Sequence, residues 1–137
     1  MKKILLLLII CIAIFLSSCN AKQQLEYYSN PDNYITVVGT VTHIKYNEER
    51  DSLYLGLHQI PTEFSDNSFK IVGENLLIAQ ENGIDQKLKI GEQVEFISAP
   101  KYFGDGYVMP IVGLTVDGEI LLTFEQGYRN WIEWITD

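Results

Sequence analysis

The sequence predicts a mainly β domain that contains one short inserted helix and ends in an amphipathic helix. Leu53, Leu55 and Leu57 alternate with other residues, which is typical of a half-buried strand. Turn-forming residues separate this run from several similar runs. Helical spacing occurs near the C-terminus, where large apolar residues fall at i, i+3, i+4 and i+7: Tyr128, Trp131, Ile132 and Ile135.

The first strand is predicted over residues 34–46, which are rich in β-branched and aromatic side chains. The apolar positions change parity between Val41 and Ile44, and Gly39 stands just before the change. We therefore expect a bulge or bend near this glycine. A charged turn over 47–51 leads into the second strand, which contains the three alternating leucines.

A third strand is predicted around Phe69 and Ile71, and a short helix follows over residues 75–82. Asn75 is placed to cap the N-terminus of this helix. Gly83 stands where the residue after a helix C-terminus commonly adopts the left-handed conformation. The helix is therefore inserted between the third and fourth strands.

The fourth strand is predicted around residues 94–96, with Val94 and Phe96 facing inward. A fifth strand over 107–116 again changes parity, and Pro110 stands at the change, where a bulge tolerates its missing amide. The Asp117-Gly118 pair predicts a hairpin turn before a sixth strand over 120–124.

The N-terminus has the pattern of a secretory signal: two lysines, an uninterrupted apolar run of thirteen residues from Ile4 to Leu16, and then small polar residues. A membrane-spanning helix needs about 20 apolar residues, so this run is too short to cross a bilayer. The stretch Leu16-Ser17-Ser18-Cys19 resembles the lipobox of bacterial lipoproteins.

The lipobox resemblance implies that residues 1–18 are a lipoprotein signal peptide and that diacylglycerol is joined to Cys19. The mature protein would then be a lipid-anchored protein on the extracytoplasmic face of a bacterial cell membrane. Residues 19–33 are polar and contain Pro31, so they are predicted to be a tether that ends in a turn, with Tyr27 and Tyr28 packing on the domain. Residues 34–137 are expected to fold as one domain.

The charge of the mature chain restricts its partners. The signal contains Lys2 and Lys3 but no acidic residue, so the mature chain has eight basic and eighteen acidic residues and a net charge of −10. This balance argues against binding to the phosphate backbone of nucleic acid, which requires clustered lysine and arginine. Of the two cysteines, Cys11 lies in the signal and Cys19 is the lipidation site, so no disulfide is expected.

The order of three strands, a helix and two strands resembles small oligonucleotide/oligosaccharide-binding (OB) fold domains over residues 34–116. Loose motifs also carry the resemblance: Val37-x-Gly39-x-Val41, Tyr54-Leu55-x-Leu57 and Leu88-x-x-Gly91-Glu92-x-Val94. The resemblance implies an OB-like Greek-key β-barrel. In OB folds the ligand face is formed by strands two and three with the first and fourth inter-strand loops. The ligand-binding residues implied here are Tyr54, His58, Lys70, Tyr102, Phe103, Asp105 and Tyr107, beside the charged turn.

The loop over 99–107 allows two interpretations. Tyr102, Phe103 and Tyr107 surround two flexible glycines and could stack on a sugar, a base or a peptide. Alternatively, Tyr102 or Phe103 folds back and caps the core, which is the commoner use of aromatic side chains. The sequence leaves both interpretations open.

No catalytic or metal-binding motif occurs in the sequence. His43 and His58 are the only histidines, and neither has an acidic residue at the spacing of a metal site. We therefore predict no cofactor and no enzyme, and expect a monomeric binding or adaptor module whose partner is an envelope protein or polymer. The alternatives are an envelope hydrolase or accessory enzyme subunit using carboxylates such as Asp105 and Glu95, and an immunity-type or inhibitor lipoprotein.

Overall fold

A computed structural model describes residues 2–101, 103 and 109–137, without the side chains of residues 12–20 and 50. The helices are α1 (Lys2–Tyr28), α2 (Gly73–Glu81), α3 (Ile84–Lys87) and α4 (Phe124–Thr136). The strands are β1 (Ile35–Asn47), β2 (Ser52–Leu57), β3 (Phe69–Val72), β4 (Gln93–Ser98), β5 (Met109–Pro110), β6 (Gly113–Val116) and β7 (Glu119–Leu122). Short 3₁₀ turns cover Pro31–Asn33 and Glu48–Arg50.

The seven described strands form one mixed sheet in the order β5-β3-β2-β1-β4-β6-β7. Every neighbouring pair is antiparallel except β3 and β5, which are parallel. Within the described residues the hydrogen-bonded ladders do not close into a ring, and helix covers more of the chain than strand because α1 alone has 27 residues. The fold is therefore a mixed sheet with helices rather than a mainly β one.

The first strand organises the sheet because it pairs with both halves. Residues 35–40 pair with β4, and residues 41–47 pair with β2. The pairing register shifts between Val41 and His43, so the predicted irregularity exists but lies after Gly39 rather than at it. The register shifts there because β1 changes its pairing partner at Val41. The N–H of Val41 still donates to the carbonyl of Glu92 on the β4 side, at 2.9 Å.

The larger of two buried clusters contains the apolar residues of the strands, where the predicted alternation holds. Leu53, Leu55 and Leu57 are buried, as are the inward residues Val94 and Phe96 of β4. Aromatic rings join the strands across this core: the ring centroids of Phe69 and Phe96 are 4.6 Å apart, and those of Phe64 and Phe69 are 5.0 Å apart. The sequence thus predicted the main core strands correctly.

The inserted helix begins earlier than predicted. It starts at Gly73, so Asn75 lies in its first turn, and the N-cap residue is Val72, which makes no side-chain capping bond. Asn75 is buried, and its Nδ2 donates to the carbonyl of Gly127 at 2.9 Å, while its Oδ1 accepts from Nδ2 of Asn130. The amide therefore joins α2 to α4 rather than capping α2.

The predicted fifth strand is divided. Its described part forms β5 and β6, separated by Ile111 and Val112. The N–H of Ile111 donates to the carbonyl of Lys70 on β3, and the N–H of Val112 donates to the carbonyl of Ile97 on β4. Two consecutive residues thus bond to opposite halves of the sheet, which breaks the run into two strands.

The C-terminal part follows its local sequence signals. Asp117 and Gly118 have φ of 50° and 79°, the left-handed conformation of a tight hairpin turn, and they join β6 to β7 as predicted. The predicted amphipathic helix is α4, whose N-terminus is capped by Thr123 and whose Trp131 is buried. Among the residues that the structure describes, none of the helices is long and apolar enough to span a membrane.

The segment predicted as a tether is helical up to Tyr28 and then turns through Pro31–Asn33. Tyr28 is completely buried and Tyr27 is half-buried, which confirms that both tyrosines pack on the domain. The ring of Tyr28 lies 5.3 Å from that of Trp131 on α4, with the rings perpendicular. The end of the segment is therefore fixed to the domain.

Candidate ligand-binding face

The outward side of β1, β2 and β3 carries a row of three polar side chains. Tyr54 on β2 is directly opposite Lys45 on β1 and Lys70 on β3. The Nζ atom of Lys70 lies 5.4 Å from the centroid of the Tyr54 ring, within the range of a cation–π contact. Tyr54 and Lys70 are half-buried, and Lys45 is exposed. The pairing thus places one tyrosine between two lysines on neighbouring strands.

The three strands that carry this row contain no acidic residue. Their charged or titratable side chains other than tyrosine are His43, Lys45 and Lys70, in a chain whose net charge is −8. Neither lysine forms an ion pair within the described part of the chain. The turn that joins β1 to β2 carries three acidic residues, Glu48, Glu49 and Asp51, and one basic residue, Arg50. The strands themselves therefore carry two lysines and no carboxylate, next to an acidic turn.

Beside the row, Gly56 is buried, because His43 and Asn67 cover its outward position. A Cβ built on Gly56 would lie 3.2 Å from the Cβ of His43 and 3.3 Å from the carbonyl oxygen of Asn67. The Asn67 side chain accepts from the N–H of Leu57 at 2.8 Å and donates to its carbonyl at 2.6 Å. The amide thus continues the pairing of β2 and holds the loop that precedes β3 beside this face.

The two histidines lie near the end of the face without meeting at a metal site. His58 is exposed, and its backbone N–H donates to the carbonyl of Thr40. The Nδ1 atom of His43 lies 2.9 Å from Oγ1 of Thr42. No group of three His, Cys, Asp or Glu side chains in the described residues could hold a metal ion.

Phe103, the described aromatic residue of the loop over 99–107, packs against the domain. Its ring centroid lies 5.5 Å from that of Tyr27 and 5.6 Å from that of Tyr28, and the Nζ of Lys101 is 4.8 Å from it. Phe103 therefore folds back onto the protein, the second of the two interpretations, and it contacts the end of α1. Tyr102, Asp105 and Tyr107 lie outside the described residues.

Burial controls the titration of the tyrosines in this aromatic cluster. Desolvation, with smaller contributions from Tyr28, Tyr128 and Tyr27, raises the pKa of Tyr34 above its usual value of 10.0. Desolvation also raises the pKa of Tyr27, although the hydrogen bond that its hydroxyl accepts from the N–H of Lys101 acts in the opposite direction. Both hydroxyls therefore keep their protons at neutral pH.

A cleft in another part of the domain lies between the hairpin of β1 and β2 and the helices α2 and α3. Its volume is about 360 Å³, and its lining is mainly apolar: Ile44, Tyr46, Leu53, Gln80, Ile84, Asp85 and Leu88. Glu95, proposed above for the hydrolase alternative, is exposed on β4 and lines two smaller clefts on the other half of the sheet. Its suggested partner Asp105 is outside the described residues.

Comparison with known proteins adds no assignment: the chain matches no family model, no curated protein and no solved structure. The candidate site therefore depends on its own geometry. The OB resemblance implied Tyr54 and Lys70 as ligand-binding residues, whereas sequence reasoning did not place Lys45 or Asn67 at the site and considered His43 only as a metal ligand. Lys45 could not be found by parity alone, because its position opposite Tyr54 depends on the register between β1 and β2.

Proposed function

We propose that this chain is a bacterial lipoprotein, anchored through Cys19 on the extracytoplasmic face of the cell membrane. Its domain acts as a binding or adaptor module rather than as an enzyme. The lipobox-like stretch supports the anchor. The apolar side chains from Ile4 to Ile10 also support it. Each is at least half exposed, so these side chains are not part of the domain core. Their removal with a signal peptide would leave the core intact.

We also propose that the domain is an OB-like barrel. We treat β5 and β6 as two halves of one bent strand, which pairs with β3 at one end and with β4 at the other. The paired strands then form a closed ring in the order β1, β2, β3, β5–β6 and β4, because β4 also pairs with β1. The consecutive hydrogen bonds from Ile111 to β3 and from Val112 to β4 support this ring. The position of α2 between β3 and β4 supports it as well.

The row of Lys45, Tyr54 and Lys70 carries the proposed binding role. Aromatic rings and cations on the face formed by strands two and three are the means by which OB folds contact ligands. Strands that carry two lysines and no acidic side chain, on a chain of net charge −8, favour a ligand that carries negative charge. The ligand-binding surface is therefore the outward side of β1, β2 and β3, hereafter the lysine–tyrosine face.

The anchor is tested by fractionation of cells that express Cys19→Ser. This variant should leave the membrane fraction and should not incorporate a labelled fatty acid. Cys11→Ser is the matched control, because it removes a thiol from the signal and should leave both properties unchanged. Membrane association and labelling of Cys19→Ser at the level of the unaltered protein would rule out this anchor.

The face is tested by photo-crosslinking in intact cells. A benzophenone amino acid in place of Tyr54 should form covalent adducts. The same amino acid in place of Val38, which is exposed on the half of β1 that pairs with β4, should form few. Equal yields at the two positions would contradict a ligand-binding role for the lysine–tyrosine face.

A further inference from the structure

We infer that Tyr27, Lys101 and Phe103 form a second contact with the membrane, in addition to the lipid on Cys19. In this contact the two aromatic rings lie among the phospholipid headgroups, and the Lys101 ammonium binds a lipid phosphate. The three residues are hereafter called the Lys101 cluster. The inference rests on the proposed function, because it assumes that Cys19 is lipidated. It adds a surface that determines which side of the domain faces the bilayer.

The end of α1 holds the Lys101 cluster near the anchor. Gln24 is only 7% exposed, so the helix is already packed on the domain five residue steps after Cys19, a span of roughly 17 Å at full extension. Tyr27 follows Gln24 by about one helical turn, roughly 5 Å further along the axis. Its hydroxyl accepts a hydrogen bond from the N–H of Lys101 at 3.1 Å. The lipid on Cys19 therefore places the cluster close to the bilayer surface.

Short contacts join the three side chains of the cluster. The ring centroids of Tyr27 and Phe103 are 5.5 Å apart. The Nζ atom of Lys101 lies 4.8 Å from the centroid of the Phe103 ring and 5.5 Å from that of the Tyr27 ring. Lys101 is exposed and both rings are half-buried. The cluster thus presents one cation and parts of two aromatic rings at the surface.

This combination of side chains suits the boundary between a bilayer and water. Aromatic residues are enriched at the level of the headgroups, where one end of a side chain is in an apolar and the other in a wet environment. Lysine can lay its apolar stem along such a surface while its ammonium reaches the phosphates. No acidic side chain at a described position pairs with Lys101, so its charge is available to a lipid.

The charge of the whole protein makes this contact local. Without the signal the chain has a net charge of −10, which repels anionic lipids from most of its surface. Charges are screened beyond about 8 Å at physiological salt, so a single lysine acts only on the lipids next to it. The domain should therefore turn the Lys101 cluster toward the bilayer and keep its acidic sides away.

Exposure alone would favour a different apolar side chain. Ile90 is 69% exposed, but it lies in the turn before β4, whereas Lys101 lies after β4. The six residues of this strand separate the two positions by roughly 20 Å. Because α1 ends beside Lys101, Ile90 lies further from the anchor. The position of the anchor, rather than exposure, thus selects the Lys101 cluster.

The experiment measures acylation of lysines by a water-soluble succinimidyl ester, with mass spectrometry as the readout. The lipoprotein purified from membranes is compared in vesicles of phosphatidylcholine and phosphatidylglycerol and in a non-ionic detergent. Acylation of Lys101 should be about fivefold slower in the vesicles, the effect of one lysine near an anionic surface. Added salt, or omission of phosphatidylglycerol, should reduce this protection. Lys89 is exposed at the other end of β4 and should react equally fast in both.

Lys22 provides a reference for closeness to the bilayer. It is exposed and lies three residue steps from Cys19, roughly 10 Å at full extension, so the anchor alone should slow its acylation in vesicles. Protection of Lys22 without protection of Lys101 would overturn the inference and leave the anchor intact. If neither lysine is protected and Cys19 carries no fatty acid, the proposed function fails as well.

A variant tests the role of the aromatic rings. Phe103→Leu removes one ring but keeps apolar bulk, and it should bring the acylation rate of Lys101 in vesicles close to the rate in detergent. Ile90→Ala removes an exposed apolar side chain outside the cluster and should leave the protection of Lys101 unchanged. The thermal midpoint of each variant establishes that the domain is folded. Full protection of Lys101 in Phe103→Leu, or equal protection of Lys89 and Lys101 in the unaltered protein, would overturn the inference.

Discussion

The hydroxyl of Tyr34 donates a hydrogen bond to the backbone carbonyl of Tyr28, 2.8 Å away, and so fastens the entrance of β1 to the helix that precedes the domain. Tyr128 on α4 donates in the same way to the carbonyl of Ser29. The side chain of Asn33 donates to the carbonyl of Tyr27 at 2.8 Å. Two of these side chains thus bind the last two carbonyls of α1, which have no partner within the helix, and the third binds the carbonyl just after the helix.

Tyr34→Phe should lower the free energy of unfolding by about 1 kcal/mol, the usual net contribution of one hydrogen bond, because the carbonyl of Tyr28 loses its donor. Urea unfolding of the membrane-extracted protein measures the change. Tyr46→Phe is the matched control, because Tyr46 is 45% exposed and should tolerate loss of its hydroxyl. Equal stability of the Tyr34 variant and the unaltered protein would show that this bond contributes nothing.

The raised pKa of Tyr34 predicts a loss of stability in alkali. The folded protein holds the phenolic proton above pH 10, whereas the unfolded chain releases it near 10. The folded state therefore binds more protons in this range, and the free energy of unfolding should fall as pH rises above 10. Tyr34→Phe should reduce the slope of that fall, measured by urea unfolding at a series of alkaline pH values. An identical slope in the variant would assign the loss to other groups.

A short connection between anchor and domain predicts that the domain stays near the membrane. Gln24 is only 7% exposed, and five residue steps separate it from Cys19, a span of roughly 17 Å at full extension. Energy transfer from Trp131 and Trp134 to labelled lipid headgroups should therefore be efficient in vesicles that contain the anchored protein. Insertion of ten glycine and serine residues after Asn20 should reduce the transfer.

The control for this measurement is Cys19→Ser, which should show no transfer because it lacks the anchor. Transfer that is unchanged by the insertion would mean that the connection does not set the distance. This result would leave the anchor itself intact, because loss of transfer in Cys19→Ser reports on the anchor separately.

Gly127→Ala should destabilise the protein by about 3 kcal/mol or more, because an added methyl group would overpack the contact between α4 and Val112, in the connection between β5 and β6. A Cβ at this position would lie 1.9 Å from the carbonyl oxygen of Val112. Arg129→Ala, at an exposed position of the same helix, should change the stability by less than about 0.5 kcal/mol. Comparable thermal midpoints for the two variants would contradict the close approach.

Asn67→Ala should cost about 2 kcal/mol, because it removes both bonds to the backbone of Leu57 and leaves that backbone without a partner at the end of β2. Hydrogen exchange should show faster exchange at the amide of Leu57. Gln59→Ala changes an exposed amide side chain in the same loop and serves as the control. Protection of Leu57 that is unchanged in the Asn67 variant would contradict this role.

Local sequence signals determined the elements whose shape depends on near neighbours. The alternating leucines predicted β2, the Asp117-Gly118 pair predicted the hairpin between β6 and β7, and the apolar spacing after Tyr128 predicted most of α4. These features are correct because side-chain periodicity and turn conformation are set within a few residues. Tyr54 and Lys70 could be assigned to the outward side for the same reason.

Contacts between distant residues decided the rest. The neighbours of Tyr54 depend on strand register, so Lys45 joined the candidate site only through pairing. The local sequence predicts that Asn75 caps a helix, but its side chain donates a hydrogen bond to the carbonyl of Gly127, 52 residues away. The fifth strand is also divided by contacts between distant residues, because Ile111 and Val112 hydrogen-bond to opposite halves of the sheet. The sequence by itself determined most of the core strands, the inserted helix and the C-terminal helix, whereas it did not predict that α1 continues to Tyr28 or that α3 exists. The tertiary structure decided which side chains meet, because pairing partners are chosen by packing across the whole core.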